Sequence, residues 1–244
     1  MMPDRVGSDT CGPGPTVAPA TWEAGAAPGR LSPKDGLKKG TNVRNLRPMG
    51  KGEDTRAAIL REAVSVAAVQ GLEGLSIGRL AGLAGLSKSG LFAHFGSKEA
   101  LQQAVLETVV DGFRAHVILP ALREPTGLER LRRLFGDWLT WSAADDKTGG
   151  CPLLAASIEL DDRPGQLREY LVTQQRAWFD CIARMAQKAV HQGQFRAGLD
   201  LAQFAFEFHS IGLGFNFAYR LLDDAGARRR ADRAFEQLVA NAAP

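Results

Sequence analysis

No apolar run in the 244 residues comes near the ~18 that a membrane-crossing helix requires, and the amino terminus has no apolar middle of the kind a secretory signal carries. Cysteine is scarce. Cys11, Cys151 and Cys181 stand far apart, without the paired spacing of a disulfide framework or a zinc knuckle, which fits a reducing compartment. The four histidines, His94, His116, His191 and His209, show no metal-ligand spacing either. Alternating strand patterns and internal repeats are both missing. These absences lead to the expectation of a cytoplasmic, all-α protein with no cofactor, no metal and no membrane partner.

Excess charge of one sign is also lacking where it would matter. The net charge is +3, and residues 1–50 carry seven Lys/Arg against four Asp/Glu, so residues 51–244 are balanced. Bulk charge therefore gives no argument for nucleic-acid binding, which has to rest on local geometry. Residues 1–50 are rich in Pro and Gly and have no sustained apolar period, so they read as a disordered, weakly basic tail. Met49 stands just before the first helical pattern and is a possible alternative start of translation.

What is present is helical periodicity. Ile59, Leu60, Ala63, Val64, Ala67 and Ala68 recur at helical spacing and stop at Gly71. Ser76–Ala84 and Lys88–Phe95 read as short helices. A long pattern from Ser97 carries Leu101, Val105, Val109, Phe113 and Val117 and is expected to end at Pro120 and Pro125. Amphipathic stretches follow at 127–144, 151–161, 164–193, 200–223 and 226–242, giving about nine helices. The expected domains are the tail at 1–50, a helix-turn-helix unit at 51–101, and a helical effector-binding and dimerisation domain at 102–244.

The eight residues Lys88–Phe95 are too few to bury much, so their purpose lies on an outward face. Only Gly85, Leu86 and Ser87 separate this helix from the one before. Glycine takes the left-handed turn, and Ser87 accepts from a free N–H to start the next helix. Leu80, Ala81, Ala84 and Leu86 point inward, while Leu91 and Phe95 anchor the short helix. Facing outward are Lys88, Ser89, Gly90, Phe92, Ala93 and His94. Lysine can meet a phosphate or a guanine edge, serine either, and Ala or Phe a thymine methyl. Gly90 costs about 1 kcal/mol of helix propensity relative to alanine, which close approach to a DNA backbone would explain. Ser97 caps the following helix, whose free N–H groups, with Lys98, form a natural phosphate clamp.

The stretch TRAAILREAVSVAAVQGLEGLSIGRLAGLAGLSKSGLFAHFGSKEAL, residues 55–101, resembles the DNA-binding domain of TetR-type transcriptional regulators, with the turn AGLS, the recognition helix SGLFAHF and the clamp SKEAL. The resemblance implies a homodimer that reads a palindromic DNA operator, with an inducer pocket in the remainder of the chain. By position it assigns DNA contacts to Ser76, Lys88, Ser89, Gly90, Phe92, Ala93, His94 and Lys98. Phe92 stands where the family commonly has tyrosine, so no phenol is available to a phosphate there, and Gly78 weakens the second helix. GGCPLLAASIELDDRPGQLREYL is similar to the carboxy-terminal domain of one TetR subgroup.

Other motifs carry less. GLSIG at 74–78 has the serine-hydrolase spacing, but its serine opens a helix instead of sitting on a strand-to-helix elbow, so no enzyme is expected. Cys151, before Pro152, reads as a helix start and a small packing residue. Arg228, Arg229 and Arg230 read as a solvated face. In LAQFAFEFHSIGLGFNFAYRLL, Leu201, Phe204, Ala205, Phe208, Ile211, Phe215, Ala218 and Leu222 form one apolar stripe and Phe206, Leu213 and Phe217 another. A helix apolar on two sides must be covered on two sides, which points to a symmetry mate, with 226–242 or 164–193 completing a four-helix bundle and Gly212 and Gly214 permitting close approach. Phe113, Trp138, Trp141 and Trp178, with polar Glu159, Gln174, Glu207 and Asn216, are the candidates for an apolar effector pocket. The function read from the chain is a ligand-responsive, DNA-binding repressor. The alternative is a helical ligand-binding or interaction protein with a vestigial DNA module.

Overall fold

Each helix begins or ends where a cap or a backbone turn stops it, and the computed structural model, which describes residues 51–143 and 150–244, shows those stops directly. The expected tail, Cys11 and Met49 lie outside the described residues. Helix α1 (Lys51–Gln70) stops at Gly71. Helices α2 (Ile77–Leu83) and α3 (Lys88–Phe95) are joined through Gly85, whose φ of +64° lets Leu86 N–H return to the Ala81 carbonyl at 2.8 Å. Ser87 then accepts from Gly90 N–H at 3.0 Å to start α3, and Ser97 accepts from Ala100 N–H at 3.0 Å to start α4 (Lys98–Phe113). No strand occurs among the described residues.

Pro120 does not end the long helix as expected. A π turn over Arg114–Ile118 widens the backbone, with the Leu119 N–H bonded to the Arg114 carbonyl, and the rod continues as α5 (Leu119–Leu122). Proline sits in the first turn of α5, where its missing N–H is harmless. Helices α6 (Gly127–Ala143), α7 (Pro152–Leu160), α8 (Gln166–His191), α9 (Leu201–Arg220) and α10 (Ala227–Ala242) follow. With α4, the π turn and α5 taken as one rod, the described residues form nine helical rods, in line with the all-α expectation.

Two apolar cores share that rod. The first half of α4, through Leu101 and Val105, packs with α1–α3 and with Ala156, Leu160 and Leu171 of α7 and α8. The second half, through Phe113, joins a larger core built on aromatic rings of α6, α8, α9 and α10. Phe135 stacks on Phe235 at 4.4 Å between centroids, and Phe208 meets Phe135 edge-on at 5.3 Å. Gly212 belongs to this packing. A Cβ there would lie 2.1 Å from the Trp138 ring, so the close approach expected at this glycine is to the chain's own core. Gly214 has open space around it.

The two stripes of α9 separate as a two-sided helix requires. Phe204, Ala205, Phe208 and Phe215 are buried, while Phe206, Leu213 and Phe217 are exposed by 58%, 42% and 55%. Leu222 departs from its expected inward position. The helix ends at Arg220, and Leu222 is 61% exposed beyond it.

Candidate DNA-reading face and effector cavity

Helix α3 is held by one deep anchor and two lateral ones. Leu91 is fully buried, and Leu86 and Phe95 pack at the edge of the same core, with the Arg56 guanidinium 5.0 Å above the Phe95 ring. This leaves Lys88, Ser89, Phe92 and Ala93 exposed on one side, with His94 and Gly90 half-buried at its margin. Phe92 is 45% exposed although large and apolar. The Ser89 hydroxyl lies 3.0 Å from that of Ser87, which ties it to the cap without burying it.

Both glycines of this region have local reasons. A Cβ on Gly78 would lie 3.1 Å from Lys88 Cε, so the lysine stem crosses α2 at the point where a side chain is missing. A Cβ on Gly90 would lie 3.3 Å from the Ser87 hydroxyl oxygen, so the cap itself uses that space. Ser76 is the N-cap residue of α2 by backbone conformation, but its side chain makes no cap bond, and it is exposed. Lys98 is engaged within the chain. Its ammonium donates to the Glu73 carboxylate at 2.8 Å and to the Glu73 carbonyl at 3.1 Å, and the Lys98 hydrogen bond holds the Glu73 carboxyl below the usual carboxylate range.

At the edge of the larger core lies a cavity of about 40 Å³. Four of the eight residues expected around a pocket line it, namely Phe113, Trp138, Gln174 and Trp178. The other four do not. Trp141 packs outside it, edge-on to Phe113 at 6.0 Å and stacked on His116 at 5.7 Å. Glu207 accepts from Gln203 on its own helix at 2.7 Å. The Asn216 amide oxygen faces Gly150 instead of the cavity. Glu159 reaches the amino-terminal half, where its carboxylate accepts from Leu72 N–H at 2.7 Å and Glu73 N–H at 2.6 Å.

Sequence reasoning missed the most distinctive cavity group, His209. Trp178 Nε1–H donates to His209 Nδ1 at 3.1 Å, the Trp138 ring stacks on the imidazole at 5.4 Å, and burial pushes its pKa down to about 4. A histidine inside an apolar helical stripe was the available signal. Cys151, at the start of α7, also lines the cavity, and burial pushes its thiol up, away from reactivity. Among the described residues, no charged side chain lines this space. Across Leu171 and Gln175 lies a more open cleft of about 590 Å³ between α7 and α8, and Gln175 Nε2 donates to Ser157 Oγ at 3.1 Å at that boundary.

Residues 59–105 match the family of bacterial regulatory proteins called the tetR family, and residues 127–235 match the tetracyclin repressor-like C-terminal domain. None of the curated proteins matches the chain in sequence. Among solved structures the chain is similar to a TetR transcriptional regulator from Chloroflexus aurantiacus J-10-FL, at 24% identity and a TM-score of 0.70, covering 79% of this chain and 96% of that one. A TetR-family regulator from Cytophaga hutchinsonii gives 25% identity and 0.69, over 81% and 98%. AibR, solved with isovaleryl coenzyme A and operator DNA, gives 22% and 0.60, over 73% and 94%. No helix among the described residues is long and apolar enough to cross a membrane. With an amino-terminal helix-turn-helix and a matching carboxy-terminal domain on one shared rod, the chain belongs to the TetR family of transcriptional regulators.

Proposed function

We propose that the protein is a homodimeric repressor that places two copies of α3 in successive major grooves of a palindromic operator and is released by a small molecule. It acts as a regulator and not as an enzyme. The observation that carries this reading is the exposed set Lys88, Ser89, Phe92 and Ala93 on a helix whose other side is fixed by the buried Leu91. In it, Lys88 meets a phosphate or a guanine edge, Ser89 bonds a base or phosphate, and Phe92 and Ala93 touch thymine methyls. Gly90 and His94 border the contact. Ser76, with its hydroxyl free of cap duty, and Lys98, with its third N–H, reach the flanking phosphates.

The dimer is supported by α9. Phe206, Leu213, Phe217 and Leu221 are exposed at spacings of seven, four and four, a coiled-coil-like stripe on a helix whose opposite side is already buried. Light scattering at micromolar concentration is expected to show a dimer.

The effector is a small molecule with an uncharged apolar body, because the cavity is lined by rings, aliphatics, neutral amides and a histidine kept neutral by burial. At about 40 Å³ the space holds a few waters, whereas a ligand site needs roughly 300 Å³ or more. Occupancy therefore has to move the walls, and parting Leu171 and Gln175 would join the cavity to the outer cleft. AibR, solved with both an acyl-coenzyme A and operator DNA, has this fold.

The test is a mobility shift with the DNA upstream of its own gene. Lys88→Ala is expected to flatten the logarithmic salt dependence by about one unit if Lys88 meets phosphate, or to relax base preference by ~1–3 kcal/mol if it meets guanine. Unchanged binding would remove Lys88 from the interface.

A further inference from the structure

Helix α7 touches both halves of the molecule within nine residues. At its beginning, Cys151, Leu153 and Leu154 form one wall of the cavity. Near its end, the Glu159 carboxylate accepts from two N–H groups of the turn that follows α1, those of Leu72 and Glu73. That turn is tightly fitted. Gly71 has φ +74°, and a Cβ on it would lie 2.6 Å from the Glu159 carboxylate, while Leu72 and Leu75 are buried. The turn's carbonyls are held from the other side by α4, through buried Gln102 Nε2 to Leu72 at 2.9 Å and Lys98 to Glu73 at 3.1 Å. After the turn the chain runs straight into Ser76 and α2, on which α3 is seated.

We propose that Glu159 is the positioning residue that couples the effector cavity to the recognition helix. The turn before α2 is gripped by its carbonyls from α4 and by its N–H groups from α7. A nine-residue helix moves as a rigid piece, so displacement of Leu153 and Leu154 by an occupant of the cavity shifts Glu159 against the α4 grip. The turn, and with it the seat of α3, is where the two displacements meet. This rests on the reading of the cavity as the effector site and of α3 as the DNA-reading helix, and it gives the two halves a linkage through α7 besides the rod they share.

Coupling between two sites is reciprocal, so it can be read from the DNA side without the effector. The probe is iodoacetamide alkylation of Cys151, followed at its own peptide by mass spectrometry, with and without a duplex selected from a random pool by the wild-type protein. Cys181, buried but away from this cavity, is the internal reference. In the wild type, the duplex is expected to change the Cys151 rate several-fold while Cys181 changes little. In Glu159→Gln, which keeps the length but replaces one acceptor by an NH₂ group, the duplex is expected to bind within a few-fold of wild type and the Cys151 response to disappear. Glu159→Asp, one methylene too short to reach both N–H groups, is expected to behave likewise. A Cys151 response that persists in both variants, or is missing in the wild type, overturns the proposal. So does loss of cooperative melting in both, which would make Glu159 a folding residue only. Failure to select any duplex instead strikes the DNA-binding reading.

Discussion

The two halves of this chain are built by different means. The DNA-binding half is small, and its geometry is set by stops: a left-handed glycine at 85, serine caps at 87 and 97, and a few buried leucines. The carboxy-terminal half is set by interlocked rings, Phe135 on Phe235 and Trp138 against Gly212, beside a small cavity. One half fixes where a surface points, and the other holds the interior that the proposed effector has to open. Specificity for a rigid duplex and responsiveness to a small molecule call for these two constructions.

The sharpest way to break the comparison is to cut one side chain from each core. Phe135→Ala removes a ring that stacks on Phe235 and meets Phe208 edge-on, and is expected to destabilise by about 3–5 kcal/mol. Leu91→Ala, by removing the anchor of α3, is expected to cost about 2–5 kcal/mol and to abolish operator binding. Chemical denaturation with mobility shifts checks both. If Phe135→Ala abolished DNA binding at temperatures where it remains folded, the division of labour would be wrong.

Acid distinguishes the halves next. His209 is partly buried, with a folded pKa of about 4 against an ordinary 6.5, so the unfolded chain binds its proton first as pH falls. Its contribution is intact above pH 6.5 and is lost on going down to 4, on the order of 3 kcal/mol. His209→Gln keeps an acceptor for Trp178 and is expected to flatten this part of the melting-temperature profile. The smallest effect belongs to the caps. Ser87→Ala leaves the Gly90 N–H without its partner and is expected to cost about 1 kcal/mol, with a larger proportional loss of DNA affinity because α3 frays from its first turn. Equal losses of stability and affinity would sink that reading.

The same contrast explains what could be read from the sequence. Gly85, Ser87 and Ser97 act on neighbours within a few residues, so their roles were visible in the chain, as was the inward set around Leu91. Phe113, Trp138, Gln174 and Trp178 were legible as candidates because aromatic and polar residues at helical spacing had to meet somewhere. The tie from Glu159 to Leu72 spans 87 positions, and no local pattern announces it. The π turn that carries the rod past Pro120 goes with the burial of Val117 and Ile118 in the larger core, and a proline alone reads as a stop. Leu222 matched the period of α9 but lies beyond its end.

The account stands on the outward face of α3 being read twice by a symmetric pair. The most direct measurement is selection of duplexes from a random pool by the full chain, with the stoichiometry of the selected complex measured by light scattering. The expected result is an inverted repeat whose half-sites are spaced by whole helical turns and are occupied by two chains or an even multiple, with Ser89→Ala and Lys88→Ala shifting the preferred bases. An enriched site without symmetry, bound by one chain, or one whose preference both substitutions leave untouched, would contradict it.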